Sequence, residues 1–189
     1  MDKRRAANLR VKKNITHTLF ALMQKKSLSE ITITELVEGA GVARASFYRN
    51  YCSKEDVLVT LIRDVLDDFR SKIPPGQESF YTYENILLSF QYFHTYRSYI
   101  LDLYRSGFAF VFLEELNRFH ESIEGTMPSS SIEKYQLYMY IGALFNTTLE
   151  WLLEHDTTSP EEMARFFFPS IVHMLGNADQ SKAYSSGHV

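Results

Sequence analysis

With 189 residues, 45% of them hydrophobic and 23% charged, the chain is long enough for a small module plus a larger core, although length alone also fits one domain. Its single cysteine, Cys52, excludes an internal disulfide and a Cys-rich metal site, and makes a reducing cytoplasm the simplest compartment; no apolar run approaches the roughly 18 residues of a membrane span, and no apolar segment follows the basic start, so neither insertion nor export is indicated. The net charge of −3 is unevenly spread: residues 1–55 carry eleven Lys and Arg against five Asp and Glu, a net of +6, and residues 56–189 carry nine against eighteen, a net of −9, as expected if the first third meets an anionic polymer and the rest stays off it.

Lys3, Arg4, Arg5, Arg10, Lys12 and Lys13 precede and enter a first helix, whose Val11, Ile15, Leu19, Leu22 and Met23 recur at helical spacing. The basic start has two readings, a phosphate- or minor-groove-tracking arm and a free tail. Ile31 to Leu58 holds the strongest signals. Thr32 reads as an N-cap with Glu35 as its capping-box partner, Leu36 and Val37 supply the buried side of a helix of about two turns, and Gly39-Ala40-Gly41 stops it where the chain must reverse. Val42 plugs the corner, and a second helix from about Ala43 to Tyr51 puts Val42, Phe47 and Tyr51 inward and leaves Arg44, Ala45, Ser46, Tyr48, Arg49 and Asn50 outward or sideways. Small polar residues at its start let the backbone approach the major groove, the docking geometry of a helix-turn-helix recognition helix. Ser53 caps the next helix, with Asp56 as partner.

The pattern Thr32-x-x-Glu35-Leu36, Gly41-Val42, Ser46-Phe47-Tyr48-Arg49-x-Tyr51 and Ser53-Lys54-Glu55-x-x-Leu58 resembles the N-terminal domain of TetR-type bacterial transcriptional regulators. The resemblance implies that double-stranded DNA is the partner and that Thr32, Thr34, Arg44, Ala45, Ser46, Tyr48, Arg49 and Lys54 form the DNA-binding set. Within it, Thr34 and Arg44 approach base edges, Ala45 and Ser46 allow close approach, and Tyr48, Arg49 and Lys54 anchor phosphates. The fork of Arg44 matches guanine O6 and N7, worth about 1–3 kcal/mol of discrimination. A packed core aromatic is the plainer reading of Tyr48. Ala43 departs from the family pattern, where a capping Ser is usual, as does Cys52, where Pro or a polar residue is frequent.

Further along, Val57, Leu58, Leu61, Ile62, Val65, Leu66 and Phe69 stripe one long helix, and Pro74-Pro75-Gly76 ends the pattern in a loop from Lys72 to Ser79. Thr82 to Tyr104 reads as helix with a bend near Tyr96-Arg97-Ser98, and Phe108 to Glu124 as another, ending at Gly125 before a loop of Met127 to Ser131. Ile132 to His155 is apolar on nearly all sides, so one face should meet its own core and another a partner. Ser159-Pro160-Glu161-Glu162 caps a last helix that Pro169 should kink, with a frayed tail from about Asn177. The expected fold is therefore all-α with about nine helices: a helix-turn-helix DNA-binding domain over 1–55 and a larger helical dimerisation and effector domain over 56–189. Surplus apolar surface on the last two helices suggests a homodimer through them. Tyr104-Arg105-x-Gly107, Tyr138-x-x-x-Gly142, Glu150-Trp151 and Ser159-Pro160-Glu161-Glu162-Met163 resemble the C-terminal domain of a Gram-positive subgroup of the same family.

Nothing points to catalysis, a cofactor or a metal. The six histidines form no ligand pair, His120 with Glu124 reads as a surface contact, and no phosphate-cradling loop or local nucleophile motif occurs, the triple serine 129–131 included. The family resemblance implies a cavity for a small-molecule effector, for which Phe90, Phe93, His94, Tyr99, Leu103, Phe112, Tyr138 and Trp151 are candidates; the plainer reading is that these are core. The whole reads as a cytoplasmic, homodimeric regulator that binds a palindromic operator, a repressor released by a small apolar or aromatic ligand. The alternative keeps the DNA and replaces the ligand with a protein co-regulator, making the chain an activator or adaptor.

Overall fold

The computed structural model describes residues 3–76, 79–125, 131–154 and 158–185, with side chains as far as His173. The expected loop over Met127 to Ser130, His155 and His188 lie outside these residues. Every regular element described is helical: α1 (Lys3–Met23), a 3-10 turn (Leu28–Glu30), α2 (Ile33–Gly39), α3 (Arg44–Tyr48), α4 (Lys54–Lys72), α5 (Tyr83–Thr95), α6 (Arg97–Arg105), α7 (Ala109–Glu124), α8 (Ile132–Leu153) and α9 (Pro160–Ser185). The chain divides into two compact units, 1–67 with 98–115, and 68–97 with 116–189.

In the first unit α1, α2 and α3 pack on one another. Ile15, Leu19 and Phe20 of α1, Leu36 and Val37 of α2, Phe47 of α3 and Tyr51 make the centre of this core. Thr32 caps α2 as its position suggests, its hydroxyl accepting from Glu35 N–H at 3.2 Å. The chain can turn so tightly after α2 because Gly41 sits at φ +62°, where a side chain would strain the backbone. Gly39 is needed for another reason: a Cβ there would lie 2.9 Å from Thr18 Cγ2, so α1 and α2 approach as closely as they do only with no side chain between them. Ser53 caps α4, accepting from Asp56 N–H at 3.2 Å, but the Asp56 carboxylate reaches past the cap to Cys52 N–H at 2.8 Å. Arg63 and the buried Glu115 form a two-pronged pair, Nε to Oε2 at 2.7 Å and Nη2 to Oε1 at 3.0 Å.

The second unit is built on α5, which packs against α8 and α9. Phe90 meets Phe93, Trp151 and Phe167 edge-on. Tyr140 is buried and donates its hydroxyl proton to Phe80 O at 3.2 Å. The bend expected near Tyr96 separates α5 from α6 there. Ser159 and Glu162 form the expected capping box of α9: Ser159 N–H donates to Oε2 at 2.8 Å and Glu162 N–H to Ser159 Oγ at 3.2 Å. Beyond Asn177 the chain stays helical to Ser185 rather than fraying, since Ala178, Gln180, Lys182 and Ala183 are good helix formers. His120 is not the surface partner of Glu124. Its ring is buried, Nδ1 lies 2.7 Å from Leu116 O, and burial pushes its pKa down to about 4, because desolvation disfavours the charged imidazolium. Among the described residues no helix is long and apolar enough to cross a membrane, and no cluster of three His, Cys, Asp or Glu side chains is placed to hold a metal.

Candidate nucleic-acid interface

The second helix of the helix-turn-helix is shorter than the span Ala43 to Tyr51. Ala43 stands in an extended conformation as the N-cap of α3 without a side-chain bond, as its lack of a hydroxyl requires. At the other end Asn50 tightens the turn: its N–H donates to Phe47 O at 2.8 Å and its Nδ2 to Ser46 O at 2.8 Å, which leaves α3 at five residues, Arg44–Tyr48. Phe47 is fully buried and holds the helix to the core, meeting the rings of Tyr48 at 5.3 Å and Tyr51 at 5.7 Å.

The outward side of α2 and α3 is polar and open. Arg44 Nη1 donates to Thr34 Oγ1 at 3.0 Å, Nη2 donates to the Tyr48 hydroxyl at 3.3 Å, and the guanidinium carbon stands 5.6 Å from the Tyr48 ring centroid. Tyr48 is 51% exposed, so its ring is not a core aromatic. Three of the sequence-derived residues are thus joined in one exposed cluster that spans both helices. Arg49 folds along its own helix, Nε to Ala45 O at 3.3 Å and Nη2 to Ser46 Oγ at 2.7 Å. Ala45 is exposed, Ser46 half-buried, and Thr32 exposed at its cap. Lys54 stands apart from the cluster: its ammonium donates to Ser29 O at 3.1 Å and Ile31 O at 2.7 Å, closing the turn ahead of α2 and keeping one N–H free of these two carbonyls.

That turn contains residues the sequence reading did not single out. Ser27 and Glu30 form a capping box on the 3-10 turn, a pattern identical in logic to Thr32 and Glu35 and open to the same argument. Lys26 meets the Glu35 carboxylate at 2.5 Å, and this bond lowers the pKa of Glu35, with the Thr32 backbone N–H adding a smaller effect. The hydroxyl of Ser27 lowers the pKa of Glu30 in the same way.

The family model for bacterial regulatory proteins of the tetR family matches residues 15–61, the second half of α1 through the start of α4. The helix-turn-helix region of this chain is of the TetR type. Similar solved structures extend the likeness of fold over both units. A TetR transcriptional regulator from Streptococcus agalactiae is 20% identical with a TM-score of 0.59, covering 89% of this chain and 97% of its own. A Listeria innocua protein is 14% identical with a TM-score of 0.69, covering 92% and 94%. The dihydroxyacetone kinase operon activator DhaS is 18% identical with a TM-score of 0.54, covering 87% and 95%. No curated protein matches the sequence. Proteins of the TetR family are DNA-binding transcriptional regulators.

The eight effector candidates do not form one group. Phe90, Phe93 and Trp151 are buried together in the second unit, with the His94 ring 5.9 Å from that of Trp151. Tyr138 lies elsewhere in that unit, exposed, with its hydroxyl donating to Glu121 at 2.7 Å. Tyr99, Leu103 and Phe112 belong to the first unit, Tyr99 edge-on to Phe20 at 4.6 Å. An open recess of about 420 Å³ in the second unit is lined by Asn146, Thr147, Glu150, Trp151, Glu154, Thr158 and Met163.

Proposed function

We propose that this chain is a homodimeric transcriptional repressor of the TetR family that reads a palindromic operator through Ile31 to Lys54 and is released by a small apolar or aromatic ligand. The observation that carries the DNA-reading half is the exposed cluster of Arg44, Thr34 and Tyr48 on a helix anchored by Phe47. A forked cation with donors to spare, on a short exposed helix, suits the acceptor edge of a guanine in the major groove. The proposed division of labour puts DNA reading in residues 1–55 and dimerisation and effector binding in 56–189, in the cytoplasm.

Dimerisation through α8 and α9 is supported by their surface. Tyr135, Tyr138 and Met139 of α8 and Phe166 and Val172 of α9 are large apolar side chains left exposed, and a Cβ at Gly142 would meet nothing within 4 Å, which leaves room for close helix approach. Isologous pairing of such faces is the commonest closed assembly. For the effector, the aromatic cluster of Phe90, Phe93, His94 and Trp151 favours an apolar or aromatic compound over a highly charged one.

Selection of bound duplexes from a random pool tests the reading. The enriched sites should be inverted repeats with half-site centres about one duplex turn apart, and Arg44→Ala should relax one base pair in each half-site by about 1–3 kcal/mol. Recovery of a pool with no sequence enrichment would remove the operator from the proposal. Reporter transcription from an enriched site, with and without the chain, then decides the direction of control.

A further inference from the structure

The inference here rests on Arg44 as the base-reading side chain and concerns what holds it. An arginine side chain is rich in rotamers, and a flexible reader loses part of its binding free energy to ordering when it docks. Arg44 is already held from two helices. Thr34 of α2 accepts from Nη1 at 3.0 Å, and Tyr48, one turn further along α3, accepts from Nη2 at 3.3 Å and lies beside the guanidinium at 5.6 Å from its ring centroid. Neither hydroxyl is itself adrift: the Tyr48 ring is edge-on to the buried Phe47, and Thr34 lies on the outward side of a helix whose Leu36 and Val37 are buried.

The donor and acceptor count gives this arrangement a direction. Of the five guanidinium N–H groups two are engaged, one on each terminal nitrogen, and three remain. Each hydroxyl accepts from the cation and keeps its own O–H as a donor. Phosphate oxygens only accept, so each hydroxyl can face the cation on one side and a backbone phosphate on the other. We propose that Thr34 and Tyr48 are positioning residues for Arg44: two hydroxyls that bridge the guanidinium to flanking phosphates and fix the fork toward a base edge with two adjacent acceptors, as guanine presents. Specificity at that base pair then depends on side chains that need not touch the base. Lysine at position 44 would not reproduce it, because an ammonium has no fork to hold.

The test compares base preference, position by position, in duplex pools selected by the full chain and by Thr34→Val, Thr34→Ser, Tyr48→Phe, Arg44→Ala and the double variant Thr34→Val with Arg44→Ala. Thr34→Val and Tyr48→Phe should each lower preference by about three- to tenfold at the base pair that Arg44→Ala relaxes, since a bidentate contact there is the whole source of discrimination. Thr34→Ser, which keeps the hydroxyl, should restore it. The double variant should be no less selective than Arg44→Ala alone, because a holder has no effect once its arginine is gone. If Thr34→Val instead changes preference at another base pair, or keeps its full effect in the Arg44→Ala background, Thr34 reads a base on its own account and the positioning role fails while Arg44 stands as the reader. If Arg44→Ala retains full preference everywhere, the base-reading assignment itself falls, and this inference with it.

Discussion

Helices α3 and α8 belong to one chain and are held in opposite ways. α3 has five residues and buries one, Phe47. α8 has 22 residues and buries nine, Leu137, Tyr140, Ile141, Leu144, Phe145, Thr148, Leu149, Trp151 and Leu152. A helix as short as α3 has no stability of its own in water, so its shape depends on a single anchor, the bonds of Asn50 and its packing on α1 and α2. In exchange nearly all its surface is free to meet a ligand. α8 is over-determined by its core, and losing one contact there leaves many others.

That contrast is broken most directly at Phe47. Phe47→Ala should destabilise the first unit by about 3–5 kcal/mol, and urea unfolding followed by a probe in that unit should show it. A loss below about 1 kcal/mol would mean that α3 is anchored by more than the one ring. The second unit is challenged at His120, where the folded pKa of about 4 lies below the ordinary 6.5. An unfolded chain takes up the proton first as pH falls, so stability is full above pH 6.5 and declines toward pH 4, by about 2 kcal/mol at pH 5. His120→Phe, beside Phe80 and Phe119, should flatten this part of the stability profile between pH 7.5 and 5; an unchanged profile would assign the acid sensitivity to other groups. The smallest effect is expected at the α1–α2 approach. Gly39→Ala should cost about 1 kcal/mol by forcing a Cβ against Thr18 Cγ2, and Thr18→Ser, which removes that methyl, should recover most of it. Failure of the serine to compensate would locate the strain in the backbone of the turn.

The same contrast explains what could be read in advance. Caps at Thr32, Ser53 and Ser159 are three-residue patterns with a local cause, and all three form as the spacing suggests. The bend at Tyr96 forms as expected, and of the inward set Val42, Phe47 and Tyr51 that followed from periodicity the last two are buried while Val42 is half-buried. The early end of α3 did not, because it is set by the Asn50 side chain competing for a helix carbonyl rather than by any break in the apolar pattern. The family resemblance implies a phosphate for Lys54, and nothing near it in sequence announced the carbonyls of Ser29 and Ile31, more than twenty positions upstream, that its ammonium also meets. Arg63 with Glu115 escaped for the same reason: nothing within a helical turn of either residue names the other. The effector candidates share helical spacing and aromatic character, properties of any core, and they divide between the two units.

Two cations of the first unit are neutralised by carboxylates of the protein itself: Lys12 pairs with Asp64 and Lys26 with Glu35. Fewer charges are therefore at liberty to displace counterions from a polyanion than the formal excess near the amino terminus implies. Adding electrolyte should weaken such a complex less steeply than a tally of lysines and arginines would suggest, which leaves a larger share of the recognition to the geometry of a few donors.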